Sequence, residues 1–268
     1  MPHIAAIQMT STNDVEINLQ TAARFIAQAA AQGATLIALP EMFVIFGTDT
    51  EKKAARETFG VGKIQTFLSE QAKQHKIWLI GGTIPLICDI PNKSRAACLV
   101  YNPEGICVAR YDKMHLFDVQ LNTTTEIYRE SDFIEPGTEI KTVETSIGKV
   151  GLSVCYDVRF PELYRHLSEQ GAEILSVPSA FTVPTGQAHW EILLRARAIE
   201  NQCYVLAPAQ TGQHNAKRQT YGHSVIIDPW GKIIAQREAG EGVIVAEVDL
   251  NYLKEVRRKI PALQHRKI

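Results

Sequence analysis

Short apolar runs alternate with longer amphipathic segments along most of the chain, a pattern typical of strands that alternate with helices. Residues 3–9 form an apolar run, and residues 13–32 carry apolar side chains at helical spacing. Asn13 or Asp14 can cap this predicted helix, and Gly33 ends it. Its apolar stripe is predicted to consist of Ile17, Ala22, Phe25, Ile26 and Ala29.

The same pattern predicts the other elements. Pro161 opens a helix, because proline is favoured in a first helical turn. Residues 102–105 form the turn of a predicted hairpin. No low-complexity linker divides the chain, so we expect residues 1–268 to form a single domain. Further strands are predicted at 35–39, 77–84, 96–101, 105–110, 150–154, 173–177, 204–207, 224–227, 232–235 and 242–248, and further helices at 64–74, 161–169 and 190–200.

Two segments of the chain resemble each other. Residues 33–43 and 171–181 both follow the pattern G-A-x-[IL]-[IL]-x-x-P-x-x-F. Any helix–glycine–strand–proline unit would look similar, but the agreement over the whole segment favours an internal duplication. We therefore expect an α/β fold of two pseudo-symmetric halves, with helices covering the sheet faces. Glu41 and Ser179 would then end equivalent strands and face one crevice, since ligands in such folds collect at the carboxyl ends of strands.

Composition and charge narrow the class of protein. The chain has 28 Lys and Arg against 29 Asp and Glu, a formal charge of −1, and the signs are interspersed. This balance gives no electrostatic footprint for nucleic acid or for an anionic membrane, so we expect neither as a partner. No apolar stretch approaches the ~20 residues that cross a bilayer. Residues 1–9 are too short for a signal-peptide core and have no basic flank, so no targeting segment is predicted.

The cysteines indicate a reducing compartment. The chain has five, an odd number, and no C-x-x-C pair. Neither a disulfide framework nor a zinc site fits this spacing, so we expect reduced thiols, a cytoplasmic protein and no bound metal. A free cysteine is by default a small buried apolar residue. That interpretation is the one we adopt for Cys88, Cys98, Cys107 and Cys203.

Cys155 is different because of its position. It ends a predicted strand, and the next residues turn the chain into the helix that begins at Pro161. A nucleophile on a strand-to-helix turn is rigid and accessible, as in the serine elbow of hydrolases. The nearby helix N-terminus is expected to favour the reactive thiolate.

Two further side chains have suitable chemistry. Glu41 follows the proline at the end of a buried strand, where burial would raise the pKa of its carboxyl group toward that of a general base. An exposed loop glutamate is an equal alternative from position alone. Lys113 follows a hairpin strand, and a lysine beside a thiolate would lower the pKa of the thiol and could stabilise an oxyanion. From the pattern alone, a solvated lysine is the simpler interpretation.

Three segments together resemble a known family. Residues 39–43 (LPEMF), 111–118 (YDKMHLFD) and 154–163 (VCYDVRFPEL) resemble, in order, the signature regions of the nitrilase superfamily of carbon–nitrogen hydrolases. The resemblance covers essentially the whole chain. It implies a four-layer α-β-β-α sandwich that forms a homodimer. It also implies a catalytic triad of Glu41, Lys113 and Cys155, and a second active-site glutamate that matches Glu130, with Glu126 as a nearby competitor.

The resemblance also implies a mechanism without a cofactor. Glu41 would take the proton of Cys155, whose sulfur attacks an amide carbonyl carbon. Lys113 and the backbone N–H of Tyr156 would hold the oxyanion. The amine would leave behind a thioester, which Glu41, with or without Glu130, would help water to hydrolyse.

Other segments resemble the Nit-type amidases of this superfamily. Residues 189–200 and the tail at 257–266 resemble the branch that hydrolyses deaminated glutathione to 2-oxoglutarate and cysteinylglycine. The alternative is an ω-amidase that acts on 2-oxoglutaramate and releases ammonia. Both substrates are small anionic amides, so cations should line the pocket. Candidates for the pocket are Arg159, Lys217, Arg218, Ser179 and Phe181, although Arg159 could instead pair with Glu162 or a core acid as a structural anchor.

Interpretations from other classes are a catalytically silent scaffold and a thiol redox sensor based on Cys155. The intact Glu41, Lys113 and Cys155 set argues against the scaffold. A redox sensor would lack a resolving cysteine nearby in sequence. A nitrile-hydrolysing enzyme ranks below an amidase, because the Nit-type segments match amidases better.

Overall fold

The structure, a computed structural model, describes residues 1–121 and 127–267. The helices are α1 (Val15–Ala31), α2 (Asp49–Ala54), α3 (Lys63–His75), α4 (Pro161–Glu169), α5 (Val183–Thr185), α6 (Glu191–Asn201) and α7 (Leu250–Lys259). The strands are β1 (His3–Gln8), β2 (Ala34–Ala38), β3 (Trp78–Ile80), β4 (Ile84–Ile87), β5 (Ser94–Tyr101), β6 (Cys107–Asp112), β7 (Asp118–Gln120), β8 (Ile127–Arg129), β9 (Thr142–Thr145), β10 (Gly148–Leu152), β11 (Ile174–Ser176), β12 (Tyr204–Ala207), β13 (Thr211–Asn215), β14 (Arg218–Tyr221), β15 (Ser224–Ile227), β16 (Ile233–Arg237) and β17 (Gly242–Glu247).

Two sheets repeat one topology. In the first sheet, β1, β2 and β3 are parallel and are connected through α1 and α3, and β5 and β6 continue the sheet antiparallel. In the second sheet, β10, β11 and β12 are parallel and are connected through α4 and α6, and β15 and β16 continue it antiparallel. Each sheet has one further antiparallel strand beside its first parallel strand, β17 in one and β9 in the other. The predicted two pseudo-symmetric halves are therefore present.

The two faces of β1 explain the layers. Ala5 and Ile7 pack with the buried side of α1, whereas Ile4 and Ala6 belong to the core that includes the second sheet. Alternation of side chains along a strand thus gives one helix-facing core and one sheet-facing core. With α4 and α6 on the far side of the second sheet, the result is the predicted α-β-β-α sandwich.

The first helix corrects one detail of the sequence interpretation. Asp14 caps α1, accepting hydrogen bonds from the backbone N–H groups of Glu16 and Ile17, as the capping rule allows. Ile17, however, is 52% exposed, and the neighbouring Asn18 is buried instead. The amide nitrogen of Asn18 donates to the carbonyl oxygen of Val44, so this polar residue is satisfied inside the protein.

Several elements lie outside the repeated core. They are α2, α5, strand β4, which pairs with β5, the hairpin of β7 and β8, and the hairpin of β13 and β14. The sequence pattern predicted none of them except the first residue of β4, Ile84, because the single strand predicted at 77–84 is divided into β3 and β4. Helix α7 was also missed. Within the described part of the chain, no helix is both long and apolar enough to cross a membrane.

Candidate active site

Cys155 lies at the turn that follows β10. It is the first residue of a 3-10 turn, Cys155–Arg159, that precedes α4. Its backbone N–H donates to the carbonyl oxygen of Pro178 at 2.9 Å, and its φ of +49° is in the left-handed region. Non-glycine residues adopt this region rarely, and functional sites hold a large share of them. The turn therefore fixes the thiol at the carboxyl end of the second sheet.

Lys113 is held between two carboxylates. Its Nζ donates to Glu41 Oε1 at 2.8 Å and to Glu130 at 2.9 Å (Oε1) and 2.8 Å (Oε2). Glu41 follows β2, Lys113 follows β6 and Glu130 follows β8, so three separate segments meet here. Glu130 also accepts a hydrogen bond from the Phe117 backbone N–H at 2.6 Å. Glu126, the competitor of Glu130, lies outside the described residues.

Burial and charge act together on the ionisable groups of this cluster. Burial alone would lower the pKa of Lys113, but the carboxylates of Glu130 and Glu41 raise it well above its usual value. Burial raises the pKa of the Cys155 thiol, and the charge of Glu41 raises it further, while Lys113 lowers it. The resting sulfur is therefore a neutral thiol that hydrogen-bonds Glu41. The charge of Lys113 acts on this pKa in the expected direction, but burial and the charge of Glu41 outweigh it.

A buried carboxylate that the sequence interpretation missed ties the site together. Asp157 is fully buried, and its Oδ2 accepts hydrogen bonds from Tyr111 Oη at 2.7 Å and from the Val154 backbone N–H at 2.8 Å. Its Oδ1 accepts from the His115 backbone N–H at 3.0 Å and lies 2.7 Å from His115 Nδ1. Asp157 thus joins the segment of Lys113 to the turn of Cys155. Its position two residues after the cysteine, inside a recognised motif, was the available signal.

The cluster opens into a cavity of about 660 Å³. Tyr156, Arg159 and Phe181 line this cavity beside the triad. The guanidinium carbon of Arg159 lies 5.6 Å from the Tyr156 ring centre and 5.4 Å from that of Phe181. Among the described residues no carboxylate is within ion-pair distance of Arg159. Arg159 is therefore not a structural anchor that pairs with Glu162.

Two of the predicted pocket residues are elsewhere. Ser179 is buried, and its hydroxyl donates to the Val177 carbonyl oxygen at 2.9 Å; it is not among the described residues that line the cavity. Its position at a strand end equivalent to that of Glu41 does not bring its side chain to the ligand space. Lys217 is exposed between β13 and β14 and also lies outside the cavity lining that the structure describes.

The cavity wall has further basic residues. Arg218, at the start of β14, lines it as predicted for a candidate cation, and so does Lys52 of α2, which the sequence interpretation missed. Lys52 lies in a polar segment, DTEKKA, with no pattern that points to a site. Over residues 1–121 and 127–267, no group of three or more His, Cys, Asp or Glu side chains is placed to hold a metal ion.

Comparison with known proteins agrees with this geometry. The carbon–nitrogen hydrolase family matches residues 3–258. Deaminated glutathione amidase of Synechocystis is 45% identical over 98% of this chain and 97% of its own length, and the human protein of the same name is 43% identical over 100% and 83%.

The fold comparison gives the same result. The crystal structure of the Caenorhabditis elegans NitFhit protein is 43% identical and superposes with a TM-score of 0.89. The match covers 99% of this chain but only 65% of that longer fusion chain. A relative of this identity over nearly the whole chain has the same fold and the same family of chemistry. The chain therefore belongs to the carbon–nitrogen hydrolase family of the nitrilase superfamily and is an enzyme that hydrolyses amide bonds.

Proposed function

We propose that this enzyme hydrolyses the amide bond of deaminated glutathione, giving 2-oxoglutarate and cysteinylglycine. The observation that carries the proposal is that two relatives, 45% and 43% identical over nearly the whole chain, are both deaminated glutathione amidases. The cluster of Glu41, Lys113 and Cys155 supplies groups for this reaction.

In the first half of the proposed reaction, Glu41 accepts the proton of Cys155 while the sulfur attacks the amide carbonyl carbon. Proton transfer has to accompany attack, because burial and the charge of Glu41 raise the pKa of the thiol. The oxyanion is held by the ammonium of Lys113 and by the backbone N–H of Tyr156. The C–N bond then breaks, the amine takes the proton from Glu41, and a thioester remains on Cys155.

In the second half, a water molecule enters where the amine was. Glu41 takes a proton from this water, and the resulting hydroxide attacks the thioester carbonyl carbon. The C–S bond breaks, the carboxylic acid product is released, and the proton on Glu41 returns to the sulfur. Glu130 keeps Lys113 charged and oriented through both halves, since its two carboxylate oxygens accept hydrogen bonds from Nζ.

The size of the cavity supports a substrate with a large leaving group. Its volume of about 660 Å³ falls within the roughly 300–1,000 Å³ of small-molecule sites. An ω-amide that releases only ammonia is smaller than deaminated glutathione and would fill less of this volume. Arg159 and Arg218 both line the cavity and offer separate cationic contacts for the two carboxylates of deaminated glutathione.

We extend the proposal to the setting of the enzyme. A single domain, a homodimer and a cytoplasmic location fit the uninterrupted duplicated fold, the five free cysteines and the exposed apolar side chains beside α6. Ile192, Ile199 and Trp230 are 71%, 51% and 55% exposed, and burying such surface favours association.

The proposed substrate is tested by steady-state kinetics on two amides. We expect kcat/KM for deaminated glutathione to exceed that for 2-oxoglutaramate by about tenfold or more, because a site built for a substrate's polar groups rejects analogues that lack them. Cys155→Ala, which has no nucleophile, gives the background rate. A higher kcat/KM for 2-oxoglutaramate would reject the proposed substrate and leave the amidase mechanism in place.

A further inference from the structure

Three segments outside the repeated core converge on one part of the cavity wall. They are the segment before α2 with Phe46, strand β8 with Tyr128, and the start of β14 with Arg218. The guanidinium carbon of Arg218 lies 4.7 Å from the Tyr128 ring centre and 5.9 Å from that of Phe46. Stacking of this kind fixes a guanidinium plane and leaves its N–H edge available to a ligand.

Arg218 has donors without acceptors. Its Nη1 is buried, and among residues 1–121 and 127–267 it has neither a hydrogen-bond partner nor a carboxylate within ion-pair distance. A buried cationic donor that stays unpaired is unfavourable, and native proteins rarely keep one without a reason. An anionic ligand that enters the cavity would provide the missing acceptor.

A second cation lies near Arg218. Lys52 projects from α2 into the same cavity, and its nearest carboxylate oxygen, Asp49 Oδ1, is 3.7 Å away. The pKa of Lys52 is lowered, mainly by burial, and the positive charge of Arg218 lowers it further. The charge of Asp49 opposes this, and so do the carboxylates of Glu130 and Glu41, so Lys52 also feels the catalytic cluster. Two like charges close enough to repel favour an anion between them.

This cationic pair is separate from the cation beside the nucleophile. Arg159 contacts the rings of Tyr156 and Phe181, whereas Arg218 contacts those of Tyr128 and Phe46. The Phe117 ring stands between the two groups, 5.1 Å from Tyr128 and 5.2 Å from Tyr156. The cavity therefore has two separate cationic parts, one with Arg159 on the Tyr156 side of the Phe117 ring and one with Arg218 on the Tyr128 side.

We propose that Arg218, with Lys52, binds the terminal carboxylate of the dipeptide leaving group and so selects substrates by what they release. The proposal rests on the proposed function, because it assumes an amide whose amine half ends in a carboxylate. Arginine binds a carboxylate through two parallel N–H groups, which also fixes the direction of the bound chain. An amide that releases ammonia has no such carboxylate and gains nothing from Arg218.

The test compares two substrates that differ only at this carboxylate: deaminated glutathione and its analogue in which the glycine carboxylate is a carboxamide. For the wild-type enzyme we expect kcat/KM to be about 10- to 100-fold higher for the acid, mostly through KM. In Arg218→Gln that preference should disappear, while turnover of the carboxamide and of 2-oxoglutaramate stays at the wild-type level. Lys52→Gln should reduce the preference in the same direction by a smaller factor.

The matched control is Lys217→Gln, the adjacent but exposed lysine, which should leave the preference unchanged. Equal kcat/KM for acid and carboxamide in the wild-type enzyme would overturn the role of Arg218 and leave the proposed function standing. An equal loss on all three substrates in Arg218→Gln would also overturn it, since that pattern indicates a structural role. Failure of the wild-type enzyme to hydrolyse either form of deaminated glutathione would instead overturn the proposed function, and the inference with it.

Discussion

At the scale of single residues, the site depends on buried charged side chains that form ion pairs with one another. Lys113 is 2% exposed and Glu41 4%, and such burial is tolerable because each has a partner within 2.8 Å. Burial and the charge of Glu41 keep Cys155 protonated at rest against the opposing charge of Lys113, so reactivity appears only when a carbonyl carbon is positioned for attack. The sequence motifs identify these residues, but the neutral state of the thiol follows from burial, which no motif encodes.

Asp157 provides the first prediction at this scale. In Asp157→Asn one of the two buried carboxylate oxygens is replaced by an amide NH2 group. The backbone N–H of Val154 or of His115, which donated to that oxygen, then faces another donor. We expect the free energy of unfolding to fall by about 3 kcal/mol. We also expect kcat to fall more than KM rises, because the turn of Cys155 and the segment of Lys113 lose their common support. Urea unfolding and steady-state kinetics measure the two effects.

Tyr111→Phe is the matched control for Asp157→Asn. It removes one of the hydrogen bonds to Asp157, the one from Tyr111 Oη at 2.7 Å, and keeps the carboxylate. We expect a loss of only about 1 kcal/mol in the free energy of unfolding. If Asp157→Asn were as stable and as active as the wild-type enzyme, Asp157 would not position the site.

At the scale of elements, the sequence correctly predicted buried strands and those helix starts that a local residue such as proline marks. Pro161 begins α4 as expected, and Tyr204–Ala207 and Ser224–Ile227 match the predicted strands. The hairpins of β7 with β8 and of β13 with β14 have no apolar alternation, because they are ordered by tertiary contacts and not by local preference. Arg218 was a candidate cation, but its stacking against Phe46 depends on such a hairpin and could not be inferred.

The turn at Cys155 allows a prediction at the element scale. Its φ of +49° favours a residue without a Cβ atom. We expect Cys155→Gly to have a free energy of unfolding higher than that of Cys155→Ala by about 1 kcal/mol, although both variants are inactive. Ala23→Gly within α1 is the control and should lose about 1 kcal/mol. A more stable Cys155→Ala would show that the turn stores no strain.

At the scale of the whole molecule, the duplicated halves and the inserted segments contribute different parts of the site. The two repeated halves supply strand ends, and Glu41 and Cys155 follow one strand of each half. The insertions supply the part of the cavity wall that contains Arg218 and Lys52. Because the net charge is −1, the molecule as a whole does not attract an anionic substrate, so local cations have to provide selectivity after encounter.

Buried acids give the folded molecule a defined response to alkali. Burial raises the pKa of the Cys98 and Cys155 thiols well above the ordinary 9.0, and that of Cys203 to about 11. Above pH 9 the unfolded chain releases these protons while the folded chain retains them. The folded state then binds more protons, so its stability is complete below pH 9 and falls as the pH rises.

Cys98 and Cys155 together give a slope of about 2.7 kcal/mol of unfolding free energy per pH unit between pH 10 and 11. Cys203 adds less than one further proton, because its own pKa of about 11 lies at the end of this range. Lys113 and Tyr111, whose pKa values are also raised, add to the slope above their ordinary range. Urea unfolding at pH 8, 9, 10 and 10.5 measures this fall. Cys98→Ala removes one of the three protons and should reduce the slope by about 1.4 kcal/mol per pH unit. Cys88→Ala is the matched control. Cys88 is only partly buried, so burial retains its proton less strongly in the folded protein and its removal should change the slope less. A free energy of unfolding that stays constant from pH 9 to 10.5 would mean that the buried thiols ionise as readily in the folded protein as in the unfolded chain.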